Sequence, residues 1–188
     1  MYIFLMPLLI GFIFNSLSAF TCYLSQRLGE RNGRVACIIL RDVLGIPMWA
    51  IGYAMAENAA SSLIYTPLWF ISVLAGLLML AGAASIIIGL ASIAGRAFAP
   101  STKDTLVSSG IYAYIRHPLY SGLMLELAGL FLYIPKTTVL IACLLGFGWV
   151  LIQSRLEEYD LVIRLPAYHE YMLRIPRFVP NVGKRKVD

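Results

Sequence analysis

The sequence predicts an all-α integral membrane protein of about five transmembrane helices, with its N-terminus outside and its C-terminus in the cytoplasm. Three observations carry that fold class. Hydrophobic residues make up 60% of the 188-residue chain and charged residues 13%, and mean hydropathy is +0.78, whereas soluble domains average about 45–50% apolar and about 25% charged. The apolar residues fall into five runs, each near the roughly 20 residues that a helix needs to cross hydrocarbon about 30 Å thick. The net charge of +5 comes from basic residues gathered at the ends of those runs. That distribution sets membrane orientation and favours anionic lipid surfaces, not nucleic acid.

The first run, about 2–24, has no basic leader and is long enough to span, so it is expected as a mature helix and not a signal peptide. The second, 35–56, contains Pro47, which should kink it. The third, 67–94, is long enough to tilt or project, and pairs Ser85 with Gly89 and Ala91 with Gly95 at a spacing that permits close helix approach. The fourth and fifth, 117–134 and 137–153, are separated by Ile134, Pro135 and Lys136 alone and must form a tight antiparallel hairpin. Gly146-Phe147-Gly148 follows no strand, so it does not read as a dinucleotide-binding loop.

After Gln153 the pattern becomes amphipathic, with Leu156, Leu161, Ile163, Leu165, Tyr168 and Tyr171 set against Glu157, Glu158, Asp160, Arg164 and Glu170. Pro166 should break the helix near Leu165, giving two short helices, the second ending before Pro176. A basic tail follows and is expected to be disordered. Cys22, Cys37 and Cys143 are odd in number and lie in apolar runs, which predicts core thiols and no disulfide framework.

Orientation follows from the basic residues. The 57–66 junction carries none, and all Lys and Arg except Lys136 fall on the opposite side. The excess places the C-terminus, and the polar passage before the fourth run, on the cytoplasmic face.

That passage, TLVSSGIYAYIRHPLYSG at 105–122, sets Arg116, His117 and Tyr120 at the mouth of a helix. Pro118 suits the first helical turn, which puts His117 at or near the N-cap with its ring facing the loop. The positive end of that helix is open to an anionic group. Arg116 read alone is equally a topology anchor. Metal binding is disfavoured, because the only other histidine is His169 and neither has ligand-spaced partners. No Ser/His/Asp set supports triad catalysis. Glu157 and Glu158 point about 100° apart on a helix and cannot both face one ligand. Glu126, about nine residues into the fourth run, should face the protein interior, as a functional group or in a structural pair, for instance with Arg41.

The stretches DTLVSSGIYAYIRHPLYSG at 104–122 and EEYDLVIRLPAYHEYMLRIPRFVP at 157–180 resemble the integral-membrane isoprenylcysteine carboxyl methyltransferases and their relatives, the phospholipid N-methyltransferases. The resemblance covers the C-terminal half; the N-terminal half matches only as hydrophobic spans. It implies methyl transfer from S-adenosylmethionine to a lipophilic acceptor drawn from the bilayer, most simply the carboxylate of an isoprenylcysteine-like substrate, alternatively a phospholipid amine. It also implies a cytoplasmic cofactor pocket built from the 95–120 loop and the C-terminal helices. Cofactor contacts carry over to Thr105, Leu106, Val107, Tyr112, His117, Pro118, Leu119, Tyr120 and Glu157. Arg116, Glu126 and Glu158 are candidates for catalysis. The substrate-binding Arg of the isoprenylcysteine enzymes corresponds to Gln153, with Arg155 nearby but rotated by about 200° and Arg116 as a further substitute.

The chain then divides as one membrane domain, 1–188, with N-terminal helices at 1–94, a methyltransferase motif region at 95–180 and a basic tail at 181–188. A lateral opening beside the fourth run is expected, because a lipid-soluble acceptor must reach a water-soluble cofactor. A non-catalytic scaffold or small transporter, with Glu126 and Arg41 lining a polar path, is the competing class. The lack of a visible internal repeat argues against an inverted-repeat carrier.

Overall fold

The computed structural model describes residues 2–93 and 104–180. Residues 95–103 of the expected cofactor loop, the Ala91 and Gly95 pair, and the basic tail at 181–188 fall wholly or partly outside the described residues. Among the described residues the fold is helical, with one isolated bridge between Leu63 and Lys136.

The first apolar run forms two helices in place of one, α1 (Leu5–Ser18) and α2 (Thr21–Leu28), bent by 70°. Polar side chains inside an apolar helix compete with its backbone, and at the break the Ser18 hydroxyl donates to the Asn15 carbonyl at 2.6 Å. Gly29, at φ +80°, turns the chain into α3 (Glu30–Ile38). The second run is longer than expected and continuous, passing from α3 through a π-helical stretch, Ile39–Gly45, into α4 (Ile46–Asn58). Pro47 lacks an N–H and crowds the carbonyl four residues back; the wider turns just before it accommodate that defect.

The third run is α5 (Trp69–Ile93), and α6 (Pro118–Tyr133) is the fourth. The fifth differs in extent: α7 (Thr137–Arg164) does not stop at Gln153 but absorbs the first of the two expected short helices. Its last residue is Arg164, with Leu165 as the C-cap before Pro166, and α8 (Tyr168–Arg174) ends before Pro176. The glutamates are thereby held on the rigid end of a 28-residue helix.

Three helical segments, Glu30–Asn58, Trp69–Ile93 and Thr137–Arg164, are long and apolar enough to cross a membrane, and the bent α1–α2 pair together makes a fourth; α6 is apolar but shorter, at 16 residues. Large apolar side chains such as Leu77, Leu80 and Ile87 point outward from α5, as expected where the surroundings are hydrocarbon.

The interior joins α1, α4 and α7 through Phe4, Leu8, Phe12, Ala56, Ala142, Trp149 and Val150, with Phe12 stacked on Trp149 at 4.7 Å. On the other side α5 packs along α6 at glycine crossings: a Cβ on Gly82 would lie 2.7 Å from the Gly122 carbonyl, and one on Gly122 would lie 2.6 Å from the Gly82 carbonyl. Ser85 continues that seam by donating to the Pro118 carbonyl at 2.8 Å. The α6–α7 turn is clasped by the 59–68 loop, where Ile64 N–H donates to the Pro135 carbonyl at 2.8 Å and Thr137 N–H to Ser62 at 3.1 Å. This seam and clasp bring the start of α6 beside the end of α7.

Candidate active site

Gly110, at φ +62°, reverses the chain into a short 3₁₀ turn, Gly110–Ala113, a backbone conformation that other residues rarely adopt. The turn presents Tyr112, and five residues later His117 caps α6 with Pro118 in its first turn. As a cap, His117 uses its backbone. The ring is buried and does not face the loop as expected: Nε2 lies 3.1 Å from Glu158 Oε1 and Nδ1 lies 4.0 Å from Glu157 Oε2. The two glutamates therefore diverge, one on each side of the imidazole.

Glu158 is the centre of a buried ion network. Arg116 donates to it through Nε at 3.0 Å and approaches through Nη2 at 2.8 Å, and Arg177 closes on its other oxygen at 2.5 Å. Arg116 also donates through Nη1 to the carbonyls of Met172, at 2.5 Å, and Ile175, at 2.8 Å. The strand-like segment after α8 completes the wall: Arg116 N–H donates to the Pro176 carbonyl, His117 N–H to Arg177, and the Ser121 hydroxyl to Phe178. These bonds explain the fixed position of the His117 backbone.

Glu157 faces the other way. It accepts from the Tyr120 hydroxyl and from Gln153 Nε2 at 3.2 Å, and its side chain is a third exposed. Further along α7, Asp160 accepts from Arg164 Nε at 2.6 Å and from the Cys22 backbone N–H at 2.8 Å, while Arg164 Nη1 reaches Asp104 at 3.1 Å. Asp104 is thus tied to α7, and α7 to α2.

These walls enclose a cavity of about 560 Å³, within the range of ligand sites. Thr105, Leu106, Val107, Tyr112, His117, Pro118, Leu119, Tyr120 and Glu157 all line it, as does Arg116. Glu158 lies behind His117. Glu126 is elsewhere, on the α5–α6 seam, where its carboxylate approaches Gly82, and Arg41 is bonded to Asp42 at 2.8 and 3.0 Å. Gln153 is buried against α1, donating to the Asn15 carbonyl at 3.3 Å, and Arg155 is exposed on another face of α7.

Residues from the N-terminal half also line the cavity, among them Asn15, Arg41, Asp42 and Trp49. Sequence reading assigned Asn15, Asp42 and Trp49 no task, although Asn15 and the Arg41-Asp42 pair interrupt apolar runs and were the available signal. Tyr168 and Tyr171, read as apolar surface, line it as well. Burial pushes the phenols of Tyr112, Tyr168 and Tyr171 upward, so they stay protonated; Tyr171 donates to the Tyr112 carbonyl at 2.6 Å.

The lining offers aromatic faces and carboxylates to a ligand. Among the described residues, four carboxylates line the cavity, Asp42, Asp104, Glu157 and Asp160, with three arginines, Arg41, Arg116 and Arg164. Each of these arginines is paired with a carboxylate. Tyrosine faces can enclose a sulfonium or an adenine, and Glu157 can accept from a ribose hydroxyl or an ammonium.

Helices of this length and apolarity are those of a multi-pass membrane protein, and a partly open, mostly apolar cavity lies among them. Residues 94–163 match the family model described as the isoprenylcysteine carboxyl methyltransferase (ICMT) family, so the motif region is similar to that family. A methanethiol S-methyltransferase of Crocosphaera subtropica (strain ATCC 51142 / BH68) is 36% identical over 77 residues, covering 39% of this chain and 29% of that protein. The chain therefore aligns with less than a third of that relative. No solved structure matches the chain.

Proposed function

We propose that the protein is an S-adenosylmethionine-dependent methyltransferase that modifies a lipophilic acceptor at the cytoplasmic face of a membrane. The observation that carries this reading is the convergence of 105–107, Tyr112, His117–Tyr120 and Glu157 on one cavity, in the segment that matches the methyltransferase family model. When bound, the cofactor supplies a methyl group on a sulfonium sulfur, so that the acceptor's lone pair forms the new bond while the carbon–sulfur pair returns to a neutral thioether. The chain's part is to align the reactants and exclude water, which needs no strong base when the acceptor is already an anion. The Tyr120 hydroxyl and Gln153 orient Glu157 toward the cofactor's polar groups, and the Glu158 network fixes His117 beside it.

The acceptor enters from the bilayer. α5 packs on α6, while α4 packs on α1 and α7, and the apolar residues Ile46 on one side and Ile86 and Leu90 on the other line the cavity between them. An isoprenylcysteine carboxylate is the acceptor that the family name suggests. A second reading, a thiol acceptor, is favoured by the engagement of Arg116 with Glu158 and two carbonyls, which leaves that cation occupied. The similarity to a methanethiol S-methyltransferase supports it. A thiol must also lose its proton, and Glu157, bonded to two neutral donors, is placed to take it.

Calorimetry on the purified protein in detergent tests the donor. Micromolar binding of S-adenosylmethionine, weakened about 10-fold or more by Glu157→Ala and by His117→Ala, is expected from the loss of a hydrogen bond to a charged group. Absence of binding to the wild type would reject the reading. Labelled cofactor then separates the acceptors, because mild base releases a methyl ester and leaves S-methyl and N-methyl products intact.

A further inference from the structure

The cavity has a wall for which the motif residues give no account, built from α1, the π-helical stretch and α4. Asn15 is its anomaly. It lies one turn from the end of an apolar helix, is 5% exposed and lines the cavity, yet its side-chain amide has no hydrogen-bond partner among the described residues. Its backbone carbonyl accepts from Ser18 and Gln153, so the packing there does not need the amide. Among the described residues the fully buried side-chain atoms without a partner are Trp49 Nε1, on the same cavity wall, and Gln153 Oε1, so the Asn15 amide is instead open to the cavity and available to a ligand. The space around it is kept by Gly45, where a Cβ would stand 2.9 Å from Asn15 Nδ2.

An amide offers both a donor and an acceptor, and it complements a group that does the same. The surrounding charges narrow the choice. Arg41 is closed on Asp42 by two hydrogen bonds, so a carboxylate arriving at this wall would meet Asp42 with the adjacent cation already engaged. An alkylamine is protonated at neutral pH and has no lone pair to offer, and an alcohol is a weak nucleophile toward a sulfonium. A thiol is uncharged, soft and able to both donate and accept weakly. Ile46, Ile86, Leu90, Leu119 and Leu123 line the same cavity and can receive an apolar chain.

We infer that Asn15 anchors the head group of an acceptor subsite in the N-terminal half, and that the subsite takes a lipophilic thiol in its uncharged form. The inference rests on the methyltransferase reading for its purpose, although not for its test. Protein in nanodiscs, without S-adenosylmethionine, is titrated with 1-octanethiol and separately with octanoate, following tryptophan fluorescence, since Trp49 and Trp149 both line the cavity. Saturable binding of the thiol is expected, at least 10-fold tighter than octanoate, with about a 10-fold loss in Asn15→Ala and partial recovery in Asn15→Ser. Calorimetry with S-adenosylmethionine should give the same affinity for these variants as for the wild type; if Asn15→Ala alone loses it through misfolding, the Asn15→Ser comparison decides. Equal or tighter binding of octanoate, binding of neither probe, or an unchanged thiol affinity in both variants would overturn the subsite. Failure of the wild type to bind S-adenosylmethionine would reject the donor instead, and the thiol titration would still stand by itself.

Discussion

Glu157 and Glu158, adjacent on α7, have opposite surroundings, and the difference is chemical as well as geometric. Glu158 is buried and met by Arg116, His117 and Arg177, whereas Glu157 is bonded to a phenol and an amide at the cavity edge. Breaking a buried charge network leaves the remaining partners uncompensated, at about 3–5 kcal/mol. Glu158→Gln should therefore lower stability by about 3 kcal/mol, read as an earlier thermal unfolding transition in detergent. Glu157→Gln should leave that transition nearly in place and weaken cofactor binding, so the two variants separate scaffold from site. The 100° divergence of the pair was legible in the sequence from helix geometry alone. The burial of Glu158 was not, because nothing local in the sequence says that Arg177, 19 residues on, folds back onto it. Arg116 illustrates the same limit: at a helix mouth it reads equally as a membrane anchor or a site residue, and its two carbonyl partners come from α8 and the turn after it.

Helices were legible where long apolar runs and prolines mark them. The start of α6 at Pro118 and the end of α7 before Pro166 follow from proline chemistry. The bend between α1 and α2 and the uninterrupted passage of α7 through Gln153 depend instead on tertiary bonding: Ser18 turns back onto Asn15, and Gln153 Nε2 donates to α1 and Glu157 in place of water, while its Oε1 has no partner among the described residues. The α5–α6 seam allows a direct test. Gly82 and Gly122 each leave a neighbouring carbonyl where a Cβ would intrude, and overpacking typically costs about 1–3 kcal/mol. Gly122→Leu should destabilise by at least that much, and because α6 carries His117 and Tyr120 it should also weaken S-adenosylmethionine binding measured by calorimetry. Leu80→Ala, on the outward face of α5, should do neither.

The whole molecule has a cavity built at one end of its helices, from both halves of the chain. The motif half was readable because its residue types are unusual for a membrane mouth, and the N-terminal contribution was not, because Asn15, Asp42 and Trp49 each have an ordinary packing explanation until the fold places them together. Orientation supplies the test at this scale. With an otherwise cysteine-free background in intact cells, Ser62→Cys, on the 59–68 loop, should react with a membrane-impermeant maleimide. Tyr114→Cys, exposed beside the cavity, should react only after the membrane is opened. The reverse pattern would put the site on the other face.

The π-helical stretch Ile39–Gly45 also says something about how this membrane crossing tolerates change in length. Turns wider than those of an α-helix hold surplus chain, so excising one residue there should relax the segment toward a regular helix, whereas the same deletion in α5 would throw every later residue about 100° out of phase. Deleting Val43 should accordingly give a protein that still inserts and resists proteolysis, but with Arg41 and Asp42 swung about the axis relative to Trp49. If that register sets the shape of the cavity, the shortened protein keeps its fold and changes which acceptors it admits, and this crossing becomes a place where specificity can drift by insertion and deletion without loss of the scaffold.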